Sequence, residues 1–158
     1  MKNKISQKTH DRLHTQLRQL QHELINVMIP EVAAARDHSN NEENDQLMHA
    51  KQQQQNLETR INTLLKFLKS ADVVTHVKFT GKVIYGTLVT MTNDDTDETK
   101  TFKLVGEMES TEPNDVSIRS PMGLAIAGNQ VGDSIEIDLP NGSQAWTIVE
   151  IKLDDQFA

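Results

Sequence analysis

Two apolar stripes that mirror each other about a single point constrain this 158-residue chain more than anything else in it. Leu13, Leu17, Leu20, Leu24 and Val27 recur at alternating steps of four and three, and the rhythm continues through Glu31 and Ala34. Leu47, Ala50, Gln54, Leu57, Ile61, Leu64 and Leu68 step by three and four in the same way. Such spacing lines residues along one side of a helix, as in the seam of a coiled coil. Paired antiparallel, 13 faces 68, 17 faces 64, 20 faces 61, 24 faces 57, 27 faces 54, 31 faces 50 and 34 faces 47. Each pair of numbers adds to 81, so the spacing predicts one hairpin that turns between Asn40 and Asn41.

The turn chemistry agrees. Ser39-Asn40-Asn41 clusters turn and cap residues, and Glu42 and Glu43 follow in the first turn of a second helix, where acidic side chains suit the helix dipole. About 30 residues per arm at 1.5 Å rise gives a finger on the order of 45 Å long. The seam thins towards its tip, and Pro30 is expected to bend the first arm or break one hydrogen bond in it. The spacing gives a shape and not a purpose. A coiled-coil adaptor or dimerisation protein has the same signature, and this alternative stays open on spacing alone.

From about Thr80 the period changes from heptad to alternation. Lys82 to Met91 and Thr101 to Val105 read as strands, separated by the acidic turn Asn93 to Glu98, which lacks the glycine and terminal glutamate of an EF-hand loop. Ser134 to Leu139, the turn Asn141-Gly142, and Ala145 to Ile151 read as a hairpin. Ser120-Pro121 opens a short helix-like stretch that ends near Gly128, and Ser70 to Phe79 is the expected joint. The fold class expected is α+β. An antiparallel coiled-coil hairpin spans 1–75, with its tip near 38–45, and a small β-rich domain spans 80–158.

Charge divides along the same line. Residues 1–75 carry ten Lys+Arg against nine Asp+Glu, and the remainder carries six against fourteen. Duplex affinity comes mostly from cationic contacts to phosphate, so any nucleic-acid contact is expected from the first half. The chain has no cysteine, which excludes disulfides, thiolate metal sites and a cysteine nucleophile. No apolar run approaches membrane-spanning length, and Met-Lys-Asn-Lys-Ile-Ser lacks the apolar core of a signal peptide, so a cytoplasmic protein with no membrane partner is expected. His10 and His14 lie one helical turn apart, but Asp11 stands where a zinc-protease helix carries glutamate and no third ligand is evident. A solvated helix face is the better reading of that pair. There is no phosphate loop and no nucleophile–base set.

Two segments carry a family resemblance. Ala35-Arg36-Asp37-His38-Ser39-Asn40-Asn41-Glu42-Glu43-Asn44 resembles the Ala-Arg-Glu-His-Gly-Asp-x-x-Glu-Asn tip of the Gre transcript-cleavage factors. Ser117-Ile118-Arg119-Ser120-Pro121, closing on Gly132-Asp133, is similar to that family's Ser-x-x-Ser-Pro segment and the Gly-Asp pair after it. The likeness covers essentially the whole chain. It implies a C-terminal domain similar to FK506-binding proteins, docked on RNA polymerase through Ser117, Ser120, Pro121, Gly132 and Asp133. It also implies a coil inserted through the secondary channel, with tip acids helping to hold the polymerase's catalytic Mg²⁺ while the enzyme cleaves backtracked RNA. The chain itself would then be a DNA-binding accessory factor and not an enzyme, monomeric, with no cofactor of its own. Arg36 and Lys51 correspond to cations that touch the nascent RNA 3′ end.

One departure matters. The family's metal-holding acids stand at Asp-x-x-Glu, and here those positions are Asn40 and Glu43. Asn caps a helix about as well as Asp, so the change keeps the capping arrangement and removes a charge. Glu42 and Asp45 stay near the tip as alternative oxygen donors. A prolyl isomerase activity is a weaker expectation, because Tyr85, Phe102 and Trp146 do not suggest the aromatic pocket it needs.

Overall fold

The computed structural model describes residues 3–38 and 44–158 and divides into two compact units. One is helical and runs from His10 to Ala71; the other combines the residues before His10 with Asp72–Ala158. The stretch before His10, expected with the hairpin, therefore belongs with the sheet.

In the helical unit, the first arm comprises α1 (Gln7–Glu23), a π-helical turn (Leu24–Met28) and α2 (Ile29–His38), and the second arm is α3 (Asn44–Ser70). They pack through one apolar cluster of Leu13, Leu17, Leu20, Met28, Leu57, Ile61 and Leu64, with Leu24, Phe67 and Leu68 at its margin. Leu17 shares a surface pocket with Asn62, Leu65, Lys66, Leu68 and Lys69, so the early first arm lies beside the end of the second. The second arm keeps the expected seam, with Ala50, Leu57, Ile61 and Leu64 buried and Leu47, Gln54 and Leu68 half-buried. The arm is stitched one turn apart by Gln52 to Asn56 and by Gln54 to Glu58.

The first arm departs from expectation at its middle. Val27 is 42% exposed, and Glu31 and Ala34 are exposed too, whereas Met28 (6%) and Val32 (7%) are buried and Ala35 is half-buried. Beyond Leu24 the seam has moved on by one residue. The cause is the π turn, in which the Ile29 N–H bonds back to the Leu24 carbonyl, five residues away and not four. One extra residue in a turn rotates everything after it by about 100°. Pro30 accounts for the place where the turn opens. It has no N–H to give the Asn26 carbonyl, and its ring crowds that carbonyl in a regular helix. The shift also replaces Val27, Glu31 and Ala34 in the seam by Met28, Val32 and Ala35, which removes a carboxylate from the apolar contact.

In the sheet unit, β1 (Asn3–Ser6) pairs with β2 (Ala71–Val74). A five-stranded sheet has the order β5-β4-β3-β7-β6, from β3 (Thr87–Asn93), β4 (Thr99–Val105), β5 (Asp115–Ser117), β6 (Ser134–Leu139) and β7 (Gly142–Leu153). All neighbours are antiparallel except β4 and β5. Strand β3 alternates cleanly, so Thr87, Val89, Met91 and Asn93 face inward. The core gathers Val83, Val89, Met91, Leu104, Val116, Ile126, Ile135, Ile137, Trp146, Ile148 and Ile151. At roughly 1.5–3 kcal/mol per buried aliphatic side chain, this cluster is the main source of the unit's stability. The acidic loop between β3 and β4 is a hairpin turn closed by Asn93, whose Oδ1 accepts from the Asp95 and Thr96 N–H groups.

Candidate functional site

The first signature segment closes α2 and opens α3. Asn40, Glu42 and Glu43 lie outside the described residues, so the structure gives no geometry for these three expected site residues. Their flanks are described. Arg36 and Asp37 are exposed near the end of α2, Asp45 is exposed in the first turn of α3, and Lys51 is exposed beside buried Ala50. Among the described residues no ion pair engages Arg36, Asp45 or Lys51. Nor does any group of three or more His, Cys, Asp or Glu residues among them gather to hold a metal. Among the described residues these flanks offer two exposed cations, Arg36 and Lys51, and two exposed carboxylates, Asp37 and Asp45.

The second signature segment is built in the opposite way. Ser120 is the N-cap of the short helix α4 (Pro121–Ile126): its Oγ accepts from the Gly123 N–H at 3.0 Å and donates to the Ser117 carbonyl at 2.7 Å. Pro121 occupies the first helical position, where its missing N–H costs nothing. The Ser117 Oγ accepts from the Arg119 N–H at 3.2 Å. Gly123 is required by contact, because a Cβ there would run into the Ser117 carbonyl. Downstream, Asp133 accepts from the Gln130 N–H through Oδ2 at 2.8 Å, and its own N–H returns to the Gln130 carbonyl at 3.1 Å. Gly132 takes the positive φ of 93° that this turn demands at its third position, and its N–H reaches the Ile148 carbonyl. All five expected docking residues are thus placed in local caps and turns. The apolar side chains beside them, Leu124 and Val131, are the exposed ones.

Both segments and the elements that carry them match known family models. Residues 3–73 match the model for the N-terminal part of transcription elongation factors, and residues 78–153 match that for the C-terminal part of transcription elongation factors GreA/GreB.

The chain belongs to the GreA/GreB family.

Among its relatives, transcription elongation factor GreA of Ruegeria pomeroyi is 36% identical over 141 residues, covering 89% of this chain and 90% of that protein. The GreA of Paracoccus denitrificans is 33% identical over 144 residues, covering 90% and 92%. Among solved structures, GreA factor homolog 1 of Thermus thermophilus aligns over 96% of this chain and 99% of that one, with 26% identity and a TM-score of 0.46.

One polar centre in the sheet unit of this Gre-family chain went unforeseen. Glu109 is buried and accepts five hydrogen bonds. Its Oε2 takes the Ser6 N–H (3.0 Å), the Ser6 hydroxyl (3.1 Å) and the Thr9 hydroxyl (2.5 Å), and its Oε1 takes the Tyr85 hydroxyl (2.6 Å) and the Gly106 N–H (2.9 Å). Ser6 also accepts from the Thr9 N–H, so the carboxylate sits at the start of α1. Burial works to raise the Glu109 pKa, but the bonds from Thr9, Tyr85, Ser6 and Gly106 outweigh it and hold the carboxyl below its usual range. Burial, then the hydrogen bond and charge of Glu109, pushes the Tyr85 phenol well above its ordinary value. The centre is fully satisfied and buried, which marks it as a clasp for the N-terminal segment and not a reactive group. No local pattern announces it, since Ser6 and Thr9 lie about 100 residues away in sequence.

Two further aromatic residues singled out in the sequence are structural as well. Trp146 is buried in the sheet core, and Phe102 packs against that core.

Proposed function

We propose that this chain is a polymerase-binding elongation factor whose two helical arms form an antiparallel coiled-coil hairpin that enters the secondary channel of RNA polymerase. The observation that carries the reading is the pair of family matches, which together take in both the arms and the sheet unit in family order. The sheet unit, with an architecture like that of FK506-binding proteins, is the docking module. Caps at Ser117, Ser120 and Asp133 fix the backbone of α4 and of the turn at Gly132, and they leave Leu124 and Val131 outside for a partner.

In this reading the chain has no reaction of its own and works as a soluble cytoplasmic monomer. Phosphodiester hydrolysis in the polymerase uses Mg²⁺ to stabilise the attacking and leaving oxygens, and such an ion prefers hard oxygen ligands. Glu43 is the side chain that offers one, Asn40 offers a neutral amide oxygen where a second charge is expected, and Glu42 and Asp45 stand close in sequence. Arg36 and Lys51, both exposed, face the phosphates of the nascent RNA 3′ segment. A neutral Asn40 lowers the charge on the tip without altering its capping chemistry, so weak stimulation of cleavage with intact channel binding is the expected behaviour.

Pull-down of the full chain with core RNA polymerase tests this. Retention at micromolar concentration, competed by an active Gre factor, is expected. Absence of binding at that concentration overturns the reading. A concentration-dependent dimer abolished by Leu57→Asp would instead point to an adaptor.

A further inference from the structure

We infer that His10 and His14 form a two-imidazole chelate for a borderline divalent transition metal such as Zn²⁺ or Ni²⁺ on the first arm. The inference does not depend on the polymerase reading. The two rings stand one helical turn apart on α1, with centroids separated by 4.4 Å and planes tilted by 58°. A metal bonds imidazole nitrogen at about 2.0–2.1 Å, so rings this close bring one nitrogen from each within reach of a single ion. Residues four apart on a helix share one face, and the intervening turn holds the pair in place before any ion arrives. Little ordering entropy is left to lose on binding.

The surroundings favour a defined tautomer. The His10 Nδ1 is buried and has no hydrogen-bond partner, and the nearest carboxylate oxygen, Asp11 Oδ1, lies 3.7 Å from it. A carboxylate on that side favours a proton on Nδ1 and leaves the lone pair of Nε2 free for a metal. At 3.7 Å the two are not hydrogen-bonded, so Asp11 biases the tautomer through its charge alone. Asp11 is therefore a positioning residue and not a ligand. His10, Asp11, His14, Thr15 and Arg18 line one open pocket, with room for the waters that complete a coordination sphere. Arg18 carries the one opposing charge in that lining and sits a further turn along.

No third protein ligand stands nearby among the described residues, so the site is open and exchangeable. Two nitrogen donors select borderline metals over the oxygen-seeking Mg²⁺. A bound ion bridges two successive turns of α1 and stiffens that stretch of the first arm.

Titration calorimetry of the full chain with Zn²⁺ and with Ni²⁺, in a non-chelating buffer at neutral pH, tests the inference. One equivalent is expected to bind, with a rise in melting temperature that EDTA reverses. His14→Gln and His10→Gln each remove that equivalent with unchanged helical circular dichroism, whereas His22→Gln keeps it. Asp11→Asn weakens it by less than about tenfold, because a nearby charge is lost and no hydrogen bond is. Mg²⁺ gives no equivalent. The inference is overturned if His14→Gln binds as the parent does, or if the parent shows no saturable binding below roughly 100 μM metal, which is weak for a chelated ion.

Discussion

In the segment from Ser117 to Asp133, the side chains of Ser117, Ser120, Asn129 and Asp133 all bond to nearby backbone. Around the other signature segment, Arg36, Asp37 and Asp45 are exposed on the ends of two helices. The contrast separates two reasons for a residue to stand where it does. Where the polar atoms are consumed by caps and turns, a substitution is felt in folding. Where they face water, it is felt in whatever they meet.

Substitutions in the sheet unit should break the contrast most severely. Gly123→Val places a side chain against the Ser117 carbonyl and the Ile118 backbone, neither of which can yield without breaking the β4–β5 pairing. A loss of at least about 3 kcal/mol is expected in chemical denaturation. Glu109→Gln is next, at roughly 2–3 kcal/mol, because five donors then share one amide oxygen and meet an NH₂ group. The folded Glu109 pKa is depressed, so its stabilisation is complete above the unfolded carboxylate value and is lost as pH falls through the folded one. The urea midpoint of the parent should therefore fall from neutral pH to pH 3 by more than that of Glu109→Gln. Equal falls would show that the clasp is not ionised in the folded protein.

Smaller changes sharpen the comparison. Ser120→Ala removes one cap and is expected to cost about 1 kcal/mol in the same assay. Deleting Val27 together with Pro30→Ala takes one exposed residue out of the π turn, removes the ring that a regular helix cannot hold, and lets the arm run as unbroken α-helix, with the residues now at Met28, Val32 and Ala35 still on the seam. A gain on the order of 0.5 kcal/mol is expected, the scale of a change away from the core. A marked loss would mean that the extra residue stabilises the arm.

The parts of the fold legible in the sequence were those where one periodicity runs unbroken. Leu57, Ile61 and Leu64 announced the second arm, Ser120-Pro121 announced α4, and Ser134 to Leu139 announced the last hairpin, although its turn residues are Pro140 and Asn141, with Gly142 already paired to Leu139, and not Asn141-Gly142. The first arm misled because two stripes one residue apart compete beyond Leu24, and perfect mirror spacing favours the stripe containing Glu31. That carboxylate on an apolar seam was the available warning. Strand β3 begins at Thr87 and not at Lys82, since Gly86 adopts a positive φ just before it. Strands β1 and β5 are four and three residues long, too short for alternation to register, and exist through partners distant in the chain. The reading of the tip rests on resemblance alone, because Arg36, Asp45 and Lys51 look like any solvated helix face when taken by themselves.

The central claim is that Asn40 leaves this Gre-family chain able to reach the polymerase active site but poor at promoting cleavage there. It is tested most directly by comparing the parent with Asn40→Asp on one stalled, backtracked complex at ordinary Mg²⁺ concentration. The account predicts slow RNA cleavage with the parent, clearly faster cleavage with Asn40→Asp, unchanged thermal stability, and loss of the residual activity in Glu43→Ala. A parent that already cleaves as fast as Asn40→Asp would contradict it and assign the missing oxygen to Glu42 or Asp45.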